Sequence, residues 1–103
     1  MFIDFADLTG GGRVRNLSGH DKGQAARARY DLDALDAGSA PVDIRVPEEI
    51  YAVSGSFVQG MFAQSLVTLG SKEAFFAHYK FDADSDILRQ IERGLAASRL
   101  AVA

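Results

Sequence analysis

Between Val42 and Val46 apolar and charged residues alternate strictly, with Val42, Ile44 and Val46 on one side and Asp43 and Arg45 on the other. That period of two predicts a strand with one buried face. Pro47 has no amide proton to give a ladder and stops regular pairing, after which Ile50 to Val53 returns the chain to the core. The spacing then becomes helical. Val58, Met61, Phe62, Leu66 and Leu69 share one face, and Gly70 stands where a helix end favours positive φ. Ser56, three residues ahead of Gln59, has the spacing of a capping box at the start of that helix.

The same reading extends to both ends. Phe2, Phe5 and Leu8, then Arg13 to Leu17 with apolar Val14 and Leu17 among polar residues, flank Thr9-Gly10-Gly11-Gly12, which predicts a hairpin over about residues 2–17. Ser18 to Asp21 has capping-box spacing and opens a helix to about Asp36, with Ala25, Ala28, Leu32 and Leu35 inward and Arg27, Arg29, Asp31 and Asp33 outward. Gly38 and Pro41 end it. Ser71 starts a short helix anchored by Phe75, Phe76 and Tyr79, and Lys80 to Asp82 reads as a short strand. Asp84 or Ser85 caps the last helix, whose inward edge is Ile87, Leu88, Ile91 and Leu95, while Arg89, Arg93 and Arg99 form a solvated face and Leu100 to Ala103 a tail without a clear partner. Gly94 costs that helix about 1 kcal/mol against alanine unless it permits a close contact. The order β-β-α-β-α-α-β-α predicts a single α/β domain: a hairpin at about 2–17, then a body of about 18–100 with amphipathic helices on a mixed sheet.

Composition narrows the function classes. At 103 residues the chain makes one domain, and with no cysteine it has neither disulfides nor thiolate metal sites. Two histidines, His20 and His78, lack paired ligand spacing, so neither a metal nor any other cofactor is expected. A net charge of −3 argues against nucleic acid, and no apolar run is long enough to span a bilayer. The acidic Met1 to Phe5 does not resemble a secretory leader, so a cytoplasmic location is expected.

Several clusters could carry chemistry. The Gly10–Arg15 turn with Arg13 and Arg15, next to a helix start at Ser18 and His20, could hold an anion, nucleotide or other small ligand. The turn lacks the P-loop and dinucleotide spacings, and a hairpin turn is its simpler reading. Ser18, His20 and Asp21 have a triad's inventory without its geometry, since triad members converge from separate elements. Glu48 and Glu49 follow a proline in a turn and read as solvated, and His78 as a half-buried packing residue. Phe57, Phe62, Phe75, Phe76 and Phe81 are spaced as core. No set of nucleophile, base and oxyanion donor assembles, so no enzyme is expected. Ser54 and Ser56 stand out by position, where a strand passes to a helix N-terminus. Serine caps helices there, and a phosphate placed there would gain from the helix dipole and its free amides.

Val42 to Leu100 resembles the STAS-like family of small bacterial domains of undefined function, which is distantly similar to the STAS domains of anti-anti-sigma factors. The resemblance rests on the alternating strand, on Ile50-x-x-Val-Ser-Gly-Ser-Phe57 entering a helix, on Leu69-Gly70, and on the Phe/Tyr-rich stretch before Lys80-Phe81. The final Ile87-x-x-x-Ile91-x-x-Gly94 helix completes it. In anti-anti-sigma factors an Asp-Ser-Ser-Gly turn at this junction carries a serine phosphorylated by a histidine-kinase-like ATPase. Laid on this chain, that serine falls at Ser54 without a gap or at Ser56 with one inserted residue, and Val53 or Ser54 then stands where the family has the acid. The resemblance implies a non-enzymatic regulatory module that binds a protein partner, such an ATPase being the natural candidate. Its contact surface would comprise Glu48, Glu49, Ser54, Ser56 and Phe57. Self-association through an unpaired edge strand is a further expectation.

Overall fold

The computed structural model describes residues 1–102, with burial and side-chain contacts through Ser98. The readings of Arg99 as a solvated side chain and of Leu100 to Ala103 as an unpartnered tail fall outside what is described. The elements run β1 (Phe2–Asp4), a 3-10 turn (Phe5–Leu8), β2 (Asn16–Leu17), α1 (His20–Arg29), α2 (Leu32–Ala37), β3 (Val42–Arg45), β4 (Ala52–Val53), α3 (Gly55–Leu69), α4 (Lys72–His78), β5 (Tyr79–Asp82) and α5 (Ser85–Val102). This is an α/β domain. One sheet has the order β1-β3-β5, a second pairs β2 with β4, and every described pairing is parallel.

The alternation at Val42 to Arg45 places Val42 and Ile44 in the core, with Ile3 and Tyr79 beside them in register. On the opposite side Phe2, Asp43 and Lys80 form one exposed row, and Arg45 pairs with Asp4 at 3.0 Å in the next. The helices lie on the buried face, where Phe62, Phe75, Tyr79 and Phe81 pack edge-on, tilted or, for Phe75 and Phe81, stacked, at centroid separations of 5.2–6.2 Å.

The expected N-terminal hairpin does not form. β1 pairs with β3 and β2 with β4, because the strand ends at Asp4, whose carboxylate accepts the Ala6 amide at 2.9 Å and turns the chain. Phe5 thereby enters the core and meets Phe57 edge-on. The three glycines do take positive φ, but their loop closes on Thr9: its Oγ1 accepts from the Gly12 amide and its carbonyl from that of Val14.

The helix expected from Ser18 to Asp36 is two helices. Asp31 adopts a left-handed φ of 52° and ends the first, which shifts the phase of everything after it. The buried positions are Gly23 and Ala26 on α1 and Leu32 and Asp36 on α2, whereas Ala25 and Ala28 are exposed. Arg27 also departs from expectation, because it points inward.

Glycine explains why α1 lies as it does. A Cβ on Gly23 would sit 2.2 Å from the Phe57 carbonyl oxygen, and one on Gly60 would sit 2.2 Å from that of His20. The two helices therefore cross backbone to backbone. Gly94 serves the same end between α5 and α3, since its Cβ would lie 2.6 Å from Cβ of Val58. Val58, Met61, Phe62 and Leu66 of α3 and Ile87, Ile91 and Leu95 of α5 are buried as the spacing predicts. Leu69 packs partly buried on the core, and Leu88, expected inward, is only half-buried. Ser71 and Asp84 cap α4 and α5.

Candidate functional site

The junction from β4 to α3 is held from three sides. Val53 donates its amide to Oε1 of Gln90 on α5 at 2.7 Å, and Ser54 donates its amide to the Leu17 carbonyl at the end of β2 at 2.8 Å. Ser54 Oγ then accepts from the Phe57 amide at 3.2 Å, so Ser54 is the N-cap of α3. Ser56, expected to be the cap, instead lies in the first turn. Its exposed Oγ is 3.0 Å from Ser54 Oγ and accepts the Gly19 amide at 3.2 Å. The reason is length: the extended segment stops at Ser54, so the helix begins at Gly55, two residues earlier than a cap at Ser56 would require.

That bond replaces another expected cap. Ser18 makes no capping hydrogen bond. Gly19, at φ 100°, is the N-cap of α1, and its amide is satisfied from across the interface by Ser56. One hydroxyl thus links the starts of two helices.

Around the junction the sequence-predicted residues separate into surface and core. Glu48 and Glu49 are exposed on a turn in which the Ile50 amide donates to the Pro47 carbonyl, beside a shallow cleft of about 310 Å³ shared with Arg45 and Asp82. Phe57 does not belong to this surface. It is buried against Phe5, as its core spacing predicts, and cannot reach a partner. The exposed aromatic is Tyr51, 66% accessible, whose amide is tied to the Arg15 carbonyl. A second cleft of about 320 Å³, lined by Ser54, Gly55, Gln90, Arg93 and Gly94, opens on the other flank. Tyr51 was not singled out by sequence, and Arg93 was read only as part of a solvated face, because nothing in local spacing places α5 beside α3's first turn.

No family model, curated protein or solved structure matches the chain.

The proposed anion group does not converge. Arg13, Arg15, Ser18 and His20 are all exposed, and among the described residues no hydrogen bond, ion pair or cleft joins any two of them. The glycine loop spends its Gly12 amide on the Thr9 hydroxyl.

A polar cluster absent from the sequence reading lies inside. Asp36 accepts from the Tyr79 hydroxyl at 2.5 Å, from Ser65 at 2.9 Å and from Arg27 at 2.7 Å. Arg27 also donates to Ser65, to the Met61 carbonyl and to Asp33. Beside it His78 Nε2 donates to the Leu35 carbonyl at 2.8 Å, so this histidine is a packing residue, as expected. Burial works to lower the pKa of Arg27, but hydrogen bonds to Asp36 and Asp33 and their charge outweigh it and raise the value. This cluster ties α1, α2, α3 and β5 together, which is a structural role.

Two tyrosines carry a pH dependence. Burial, then the nearby carboxylate of Asp7, pushes the Tyr30 phenol up to about 12 from its usual 10.0. Burial, then its bond to Asp36, raises Tyr79 as well. Both contribute stability that is fully present below pH 10 and lost as pH rises, because the unfolded chain ionises first. The thermal midpoint is therefore expected to fall steadily from pH 10 towards about 12. Tyr30→Phe should flatten that slope, and a midpoint that holds level through this window would refute the assignment.

Proposed function

We propose that the protein is a non-enzymatic, STAS-like regulatory module of the bacterial cytoplasm that binds a protein partner through the β4–α3 junction. The contact surface comprises Glu48, Glu49, Tyr51 and Ser56. The observation that supports this reading is the exposed Ser56 hydroxyl, which accepts from the N-cap residue of α1, Gly19, while touching the serine that caps α3. Whatever engages Ser56 acts on two helix starts at once. Its position near the N-terminus of a fifteen-residue helix also suits added negative charge. Of the two serines, Ser56 is the better site of modification, because Ser54 is half-buried and its oxygen is committed to the Phe57 amide. A histidine-kinase-like ATPase is the partner to seek, by resemblance to anti-anti-sigma factors.

The test is affinity capture from the native cell with wild-type, Ser56→Asp and Tyr51→Ala proteins. Wild type is expected to retain one specific protein, and each variant to hold it about tenfold less tightly, the equivalent of about 1.4 kcal/mol. Ser56→Asp should unfold at the wild-type temperature, since an acid is welcome in the first turn of a helix. Equal retention by all three, or no specific protein, would sink the reading.

A further inference from the structure

We propose that the groove between α1 and the residues flanking it from the 3-10 turn (Asp7, Leu8), Val14 and β2 (Asn16, Leu17) binds a small amphipathic carboxylate, a single apolar ring or short chain ending in one acid group. This site is separate from the β4–α3 contact surface and does not depend on its role. The groove holds about 280 Å³, close to the lower end of the ~300–1,000 Å³ typical of small-molecule sites. Its floor is apolar and well fixed: Leu17 and Phe57 are buried, and Leu8 is packed on the core cluster. Ala25 leaves the α1 wall open, where a longer side chain would occupy the space.

The rim is basic on a chain whose net charge is −3. Lys22 and Arg29, seven residues apart and so roughly 10 Å along α1, flank the apolar floor. Lys22 has no hydrogen-bond or ion-pair partner among the described residues. Arg29 spends one N–H on the Asp7 carbonyl at 3.2 Å and lies over the Tyr30 ring, which leaves donors of its planar fork free. The one carboxylate at the rim, Asp7, accepts from the Tyr30 hydroxyl at 3.3 Å. Two cations against one engaged acid, above a floor of leucine and phenylalanine, select a ligand that is apolar at one end and negative at the other. A nucleotide would bring more polar surface than this floor can satisfy.

The experiment is an amide-resolved NMR titration of the full chain with 3-phenylpropionate, compared with 3-phenylpropanamide, 3-phenylpropylamine and propionate. Saturable shifts are expected at Leu8, Leu17 and Ala25 with 3-phenylpropionate. The neutral amide should bind at least about tenfold more weakly, and the amine and ring-less propionate should not saturate. Ala25→Leu should fill the groove and abolish binding, and Lys22→Gln, an exposed change that keeps the fold, should weaken it about fivefold. No saturable shift with 3-phenylpropionate in the millimolar range would overturn the proposal. Equal binding of the amine, or unchanged affinity in both Ala25→Leu and Lys22→Gln, would also overturn it.

Discussion

Gly60→Ala is expected to lower stability by about 3 kcal/mol or more, although alanine in a helix ordinarily stabilises by about 1 kcal/mol over glycine. The sign is decided by the crossing of α1 and α3. The new Cβ would stand 2.2 Å from the His20 carbonyl oxygen and 3.0 Å from its carbon, and both are backbone atoms inside the first turn of α1. A flexible side chain could swing away, but a helix backbone can yield only by moving the whole helix. Moving α1 would pull Gly23 off the Phe57 carbonyl and strain the bond from the Gly19 amide to Ser56. For a domain of this size each 1 kcal/mol is worth roughly 4–8 °C, so the midpoint should drop by roughly 12 °C or more in a thermal melt followed by circular dichroism. Gly38→Ala is the control: its φ is −81° and its nearest new contact is 3.6 Å, so its midpoint should stay near wild type. A Gly60→Ala protein that melts at or above the wild-type temperature would mean that α1 and α3 do not meet at these glycines.

Close packing of this kind is hardly visible in a sequence. The stripe Val58, Met61, Phe62 and Leu66 was legible because apolar side chains declare a helical face by spacing, and those residues are buried. Gly60, on the same buried side, has no side chain to declare anything. Gly94 was the partial exception, since a glycine so deep in a helix had to be either tolerated or needed, and Val58 makes it needed. The N-terminal half was read less well for a different reason. The stretch Arg13 to Leu17 breaks its alternation at Arg15-Asn16, only its last two residues are strand, and their partner is Ala52–Val53 rather than the residues before the glycines. Asp31 in a left-handed conformation has no local signal at all, so two helices looked like one.

The junction was half legible. Its position between strand and helix followed from Pro47, the return at Ile50 to Val53 and the stripe after it. Which serine caps did not follow, because Ser54 and Ser56 both precede a helix-forming run, and choosing between them needs the length of an extended segment fixed by Leu17 and Gln90 far away in the chain. Charge was read worst. Arg27 was placed on a solvated face because charged residues usually lie there, and only Asp36 and Ser65, 9 and 38 residues distant, show why it turns inward.

Asp36→Ala carries the second large effect, an expected loss of about 3–5 kcal/mol. The carboxylate is only 2% exposed and accepts three hydrogen bonds, so its removal leaves the Tyr79 hydroxyl and Ser65 without their acceptor. It also leaves the Arg27 guanidinium, 13% exposed, balanced only by Asp33, whose side chain is 81% exposed. A graded series tests this account. Tyr79→Phe takes away one donor and strands part of a charged acceptor, at a cost of about 1–3 kcal/mol. Asp33→Ala breaks a solvated pair and should cost no more than about 1 kcal/mol. The decisive member is the double variant Arg27→Met with Asp36→Leu. Removing both charges leaves no uncompensated ion in the interior, so the double variant should be more stable than Asp36→Ala despite carrying two changes. Chemical denaturation of wild type, these four variants and the single variants Arg27→Met and Asp36→Leu supplies the comparison. If the double variant lost the sum of its single losses, the cluster would be contributing by packing, and the charge balance argued for Arg27 and Asp36 would fail.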